Sequence, residues 1–235
     1  SCGFLATDRW GVLRRGGLML ESLRLTGVDR PRVCLVMTAS GDDASYLARS
    51  YAALGAAGCD VDHLALFTQP NRDPEEILGR SDVVWVGGGS VANLLALWRL
   101  HGVDTAMRAA WDRGTILAGV SAGSICWHVG GPTDSFGPTL KVVTDGMALL
   151  PYGNGVHYDS EEQRRPLLQR VVGDGLLPTS YATDDRIGIL YEGDEAVRVI
   201  ADLEVDAETG PAAYRIERVS GEVVETRLPV GPLMA

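Results

Sequence analysis

The sequence predicts an α/β fold built on a mostly parallel sheet, and three observations carry that expectation. Apolar runs of strand length alternate with helical patterns through the first half of the chain. Those runs are continuously apolar, as strands buried on both faces require. They end in glycine or small polar residues, where a chain can turn from strand into helix.

Taken in order, "PRVCLVMTAS" reads as a buried strand and "DDASYLARSYAALGAAG" as an amphipathic helix stopped by glycines. "DVDHLALF" is the next strand and "DPEEILGR" a short helix with an acidic start. "DVVWVGGG" is a third strand, ending in three glycines. "SVANLLALWRLHG" and "VDTAMRAAWDRG" read as helices, and "TILAGVS" as the fourth strand. After Gly131 the rhythm changes. "SEEQRRPLLQRVVGDG" is one more helix, with Ser160 placed as its N-cap and Glu162 in its first turn. "RIGILYEGDEAVRVIAD", "GPAAYRIERVS" and "EVVETRLPV" follow as short strands joined by Gly and Asp turns. No linker, low-complexity tract or internal repeat interrupts this order, so one domain over residues 1–235 is expected.

Composition narrows the function classes. The formal net charge of −10 argues against a nucleic-acid partner, which needs a clustered positive field. No apolar run reaches the roughly 18 residues of a membrane span, and the opening residues carry no signal-peptide pattern. Cys2, Cys34, Cys59 and Cys126 form no C-x-x-C pair and no metal-finger spacing, which points to a reducing, cytoplasmic setting. Lys141 is the only lysine, so the basic residues are otherwise arginines, whose planar forks suit carboxylates.

The segment that carries chemistry is "TILAGVSAGSICWHVGG", in which Gly119-Val120-Ser121-Ala122-Gly123 matches G-x-S-x-G. A chain turning sharply from strand to helix needs small residues on either side of the serine. That turn exposes the serine hydroxyl and aims the next backbone N–H, of Ala122, at a developing oxyanion. Gly87, Gly88 and Gly89 form a second strand-to-helix turn, able to supply another N–H donor or to cradle a phosphate. The sequence holds no G-x-x-x-x-G-K-[ST], no G-x-G-x-x-G and no paired metal-ligand spacing.

A serine nucleophile needs a base, and there are four histidines. His63 lies in a strand and His101 ends a helix. His128 stands about two helical turns, roughly 10 Å, beyond Ser121. His157, in the turn-rich "PYGNGVHYDSEE", is left as the base by elimination. For the orienting acid, Asp134, Asp159, Asp184, Asp185 and Glu192 are all open.

Four segments, "PRVCLVMTASGDD", "DVVWVGGGSVANLL", "AGVSAGSICWH" and "HYDSE", in this order and spacing, resemble the peptidase E (aspartyl dipeptidase) family of serine peptidases, a group related to cyanophycinase. The resemblance runs from about Arg32 to Val199. It implies a flavodoxin-like three-layer α/β sandwich similar to class I glutamine amidotransferases. It also implies Ser121 as nucleophile, His157 as base, and Gly88 and Ala122 as the oxyanion hole. Asp134 and Glu192 are the matching positions for the acid, with Glu192 preferred as the end of a strand in a parallel sheet. Gly89, Asp159 and Arg165 are the candidates for substrate contact, and Arg164 is a second arginine able to meet a substrate carboxylate. Two features depart from the family pattern: the glycine-rich start is missing, and "HYDSEEQRRPLLQR" resembles a branch not bound to the aspartyl preference.

The expectation is a peptidase of short peptides, a dipeptidase or exopeptidase with N-terminal Asp as one substrate. It needs no cofactor or metal and works as a monomer or homodimer. The alternatives are a cyanophycinase-like or esterase activity, or a non-catalytic small-anion-binding protein on an amidotransferase-like fold. Serine in place of cysteine at position 121 disfavours an amidotransferase proper.

Overall fold

A computed structural model of the chain describes residues 3–9, 11–202, 205–206 and 209–233. Its contacts divide into two compact units, residues 3–123 and residues 124 onward.

The first unit opens with a short antiparallel pair, β1 (Phe4–Ala6) and β2 (Leu13–Arg15), and helix α1 (Gly17–Leu25). A parallel sheet follows, with β3 (Arg32–Val36), β4 (Asp60–Leu64), β5 (Val83–Val86) and β6 (Ile116–Gly119) in the order β4-β3-β5-β6. Helices α2 (Ala44–Gly55), α3 (Pro74–Gly79), α4 (Val91–His101) and α5 (Val103–Asp112) connect its strands. Their starts are legible in the side chains. Asp43 accepts from Tyr46 N at 2.6 Å, Asp73 from Glu76 N at 2.9 Å, and Ser90 from Asn93 N at 3.2 Å. The end of α4 is Gly102 in the left-handed region, φ 69°.

Residues Val83 through Val86 are all buried, so β5 is covered on both faces. One face packs Val33, Leu35, Val83 and Trp85 against Phe4, Met19 and Leu54. Burying each such large side chain contributes about 2 kcal/mol. The register pairs Val36 with Val86, and Val86 with Gly119. The strands β3, β5 and β6 therefore end level, and the loops after them emerge at one sheet edge, where open parallel sheets present their chemistry.

The last helix turn of this series, α6 (Ala122–Ile125), leads into the second unit. There β7 (Gly131–Thr133) pairs with β8 (Lys141–Val143). Strands β9 (Gly153–Gly155) and β10 (Ser180–Thr183) run parallel and flank helix α7 (Arg164–Gly173) in sequence. β11 (Ile187–Glu192) and β12 (Glu195–Ala201) form an antiparallel hairpin, which β15 (Gly231–Pro232) extends. β13 (Ala213–Val219) and β14 (Glu222–Leu228) complete the four-stranded mixed sheet β14-β13-β10-β9. Leu167, Leu168, Val171 and Val172 of α7 pack against Tyr158, Ala182 and Ile216.

Helix α7 starts at Arg164, later than the sequence reading from Ser160. Pro166 supplies the reason, because it lacks the N–H that a helix interior must donate. With the start at Arg164, Pro166 falls in the first turn, where that N–H would have no intrahelical partner. Ser160 does not cap the helix; its hydroxyl donates to Asp185 Oδ2 at 2.9 Å. Among the described residues, no helix is long and apolar enough to cross a membrane.

Candidate active site

The turn after β6 explains both of its glycines. A Cβ on Gly119 would lie 2.2 Å from the Gly123 carbonyl oxygen, and one on Gly123 would lie 2.4 Å from that of Val86. Neither position admits a side chain. Between them Ser121 adopts φ 53°, the left-handed region that non-glycine residues seldom occupy. Two backbone bonds hold the turn, Val120 N to Val86 O at 3.1 Å and Gly123 N to Val120 O at 2.9 Å. Ser121 itself is half-buried.

The glycine run after β5 closes against this turn. A Cβ on Gly88 would come within 3.2 Å of Ser121 Cβ and 3.8 Å of its Oγ. Gly89 has φ 133°, and a Cβ there would lie 2.2 Å from the Ala39 carbonyl oxygen. Gly87 N donates to Val36 O at 3.0 Å, and Ser90 N to Ala39 O at 2.8 Å. The structure thus brings Ser121, Gly88 and Ala122 together, with Gly89 in the adjoining loop. Cys126 is buried, and burial pushes its thiol well above the ordinary range.

In the second unit, His157 follows β9 with φ 54°, again left-handed. Its Nδ1 lies 2.8 Å from Asp185 Oδ1. A carboxylate only accepts, so Nδ1 carries the hydrogen and Nε2 of the neutral ring keeps a basic lone pair. Asp185 is itself fixed: its backbone N donates to Asp159 Oδ1 at 2.9 Å, and Ser160 donates to its second oxygen. Tyr158 N donates to Thr183 O at 3.2 Å, which ties the histidine loop to β10.

The sequence left Asp185 among five acids and ranked Glu192 and Asp134 above it. Glu192 ends β11, whose pairing is antiparallel rather than parallel, and stands opposite Glu195 at the hairpin turn. Asp134 is exposed and lies 3.9 Å from Arg164. Asp159 meets the Asp185 backbone, as above. Asp184 is buried, accepts from Ala212 N at 2.9 Å and from the Tyr214 hydroxyl at 3.2 Å, and burial raises its carboxyl. The signal that would have separated Asp185 from its neighbours is a contact across 28 residues, which no local spacing encodes.

The two arginines read as able to meet a substrate carboxylate have partners within the fold. Arg164 is buried and donates to Pro132 O at 2.6 Å and Glu161 Oε2 at 2.8 Å. Arg165 donates to Glu225 and covers the rings of Tyr158 and Tyr214. Of the other histidines, His63 meets Tyr51 and Asn71, and His128 is buried with Nδ1 2.9 Å from Ser124 O. Among the described residues, no group of three or more His, Cys, Asp or Glu side chains is placed to hold a metal ion.

Comparison with known proteins places these features in a family. A model of peptidase family S51 matches residues 20–199. The chain is similar to the uncharacterized peptidase YgaJ of Bacillus subtilis, with 37% identity over 202 residues, 86% of this chain and 85% of that protein. Its fold is that of a peptidase from an acI-B1 actinobacterium, with a TM-score of 0.67 at 14% identity, covering 91% of this chain and 89% of the other. A candidate peptidase E protein from Listeria monocytogenes gives a TM-score of 0.51 at 18% identity, over 88% and 93% of the two chains. Family match and sequence identity agree: the chain belongs to peptidase family S51.

Proposed function

We propose that the chain is a serine peptidase of short peptides, with Ser121 as nucleophile, His157 as general base and Asp185 as the acid that orients it. The observation that carries this is the strained turn at Ser121. A non-glycine residue at φ 53°, between two glycines that admit no Cβ, is a costly arrangement that folding alone does not require. The His157–Asp185 bond supports it, since it leaves Nε2 as a proton acceptor.

His157 Nε2 takes the Ser121 proton as Oγ attacks the peptide carbonyl carbon. The N–H groups of Gly88 and Ala122 receive the oxyanion, each worth about 3 kcal/mol in the transition state. The imidazolium, stabilised by Asp185, returns its proton to the leaving amine. A water, deprotonated by the same ring, then releases the acyl group and restores Ser121. No step calls on a cofactor. The buried cysteines Cys34, Cys59 and Cys126 favour a reducing, cytoplasmic setting.

The test is hydrolysis of a dipeptide panel, Asp-X beside neutral and basic N-terminal residues, by the wild type and Ser121→Ala. Cleavage that the substitution removes supports the reading. Cleavage confined to Asp-X assigns a dipeptidase for N-terminal Asp, and cleavage of other dipeptides assigns a broader one. Equal hydrolysis by both proteins contradicts Ser121 as nucleophile.

A further inference from the structure

Resting on the reading of His157 as base, we propose that Tyr158, Glu225 and Arg165 form a clamp that positions the His157–Asp185 pair. The clamp includes the residue after His157 and reaches the residue before Asp185 through Tyr214. Tyr158 follows His157, and its hydroxyl donates to Glu225 Oε2 at 2.7 Å. Gln169 donates to the same oxygen at 2.8 Å, and Arg165 donates to the other. The Arg165 guanidinium stands 5.2 Å from the Tyr158 ring centre and 4.9 Å from that of Tyr214, and the two rings lie 5.3 Å apart. Tyr214 donates its hydroxyl to Asp184, which precedes Asp185. One arginine thus bridges two rings, one on the residue after His157 and the other bonded through its hydroxyl to the residue before Asp185.

The arrangement solves a specific problem. His157 occupies a left-handed backbone conformation, which persists only where the surroundings hold it. Tyr158 is buried and fixed by its backbone bond to β10, its hydroxyl bond to β14 and the cation on its ring. Glu225 can remain charged there because three donors reach it. Burial works to raise its carboxyl, and the bonds from Tyr158, Arg165 and Gln169 outweigh that and hold it below the ordinary carboxylate range. Arg165, read from the sequence as a substrate contact, is in this account a positioning residue, its charge matched by Glu225.

The test compares Tyr158→Phe and Glu225→Gln with the full-length wild type, by proton NMR and by kinetics. The His157 Nδ1 proton is assigned as the downfield resonance that disappears in His157→Gln. The clamp predicts that this resonance broadens or moves upfield in both variants. It also predicts that kcat on the fastest dipeptide falls about tenfold, with KM within about twofold. Tyr158→Phe deletes one oxygen, so it serves where Glu225→Gln fails to fold. Folded variants with an unchanged resonance and unchanged kcat overturn the proposal, even if their melting temperature drops. Because the resonance is read without substrate, the clamp is judged even if Ser121 proves not to be the nucleophile.

Discussion

Replacing Asp185 by asparagine is expected to lower kcat by about 10³- to 10⁴-fold, with KM changed by no more than a few-fold. The reason lies in the hydrogen on Nδ1. Asp185 Oδ1 accepts it at 2.8 Å, which in the neutral ring leaves the lone pair on Nε2. An asparagine that turns its NH₂ toward Nδ1 reverses the tautomer and removes the base. One that turns its oxygen there keeps the tautomer but loses the negative charge that stabilises the imidazolium. Either way the loss falls on the transition state. The same assay on Glu192→Gln and Asp134→Asn is expected to give kcat within about threefold of wild type, since neither carboxylate is the one bonded to Nδ1. A large loss at Glu192 with little at Asp185 would reassign the acid.

The second large effect is on stability and belongs to His128. Burial lowers its imidazole from 6.5 to about 4, against the bond to the Ser124 carbonyl, which works the other way. The folded chain therefore binds this proton less readily than the unfolded chain, and stability rises with pH between the two values. His128 stabilises the fold fully above about pH 6.5 and ceases to do so as pH falls through about 4. The span of roughly 2.5 units corresponds to about 3 kcal/mol, of which about 2 kcal/mol is gone at pH 5. Denaturant unfolding of the wild type and of His128→Met, which fills the space without titrating, isolates this group from the carboxylates. The difference between the two proteins is expected to shrink or reverse as pH falls from 7 to 4.5. A difference that stays constant over that range would show that His128 does not titrate there.

Much of the parallel sheet was legible because most of its strands are short, largely apolar runs bounded by turns, as in "DVVWVGGG" for β5. The strand–turn–helix context of Ser121 was legible for a related reason: Gly119 and Gly123 are demanded by backbone atoms close in sequence or in the adjoining strand. What stayed hidden depends on long-range contacts. Asp185 meets His157 across 28 residues, and Arg165, read as a candidate substrate contact, meets Glu225 across 60. The preference for Glu192 rested on a parallel β11, whereas two β-rich segments joined at Gly193 form an antiparallel hairpin. The start of α7 was missed because Ser160 has the chemistry of a cap, while Pro166 decides where the helix can begin.

The most direct test of the account is covalent labelling of the full-length chain with a fluorophosphonate, followed by peptide mapping of the adduct. The account predicts one adduct on Ser121 that is absent in Ser121→Ala and forms far more slowly in His157→Gln. A folded wild type that takes no label, or that takes it on another serine, would contradict Ser121 as the activated nucleophile.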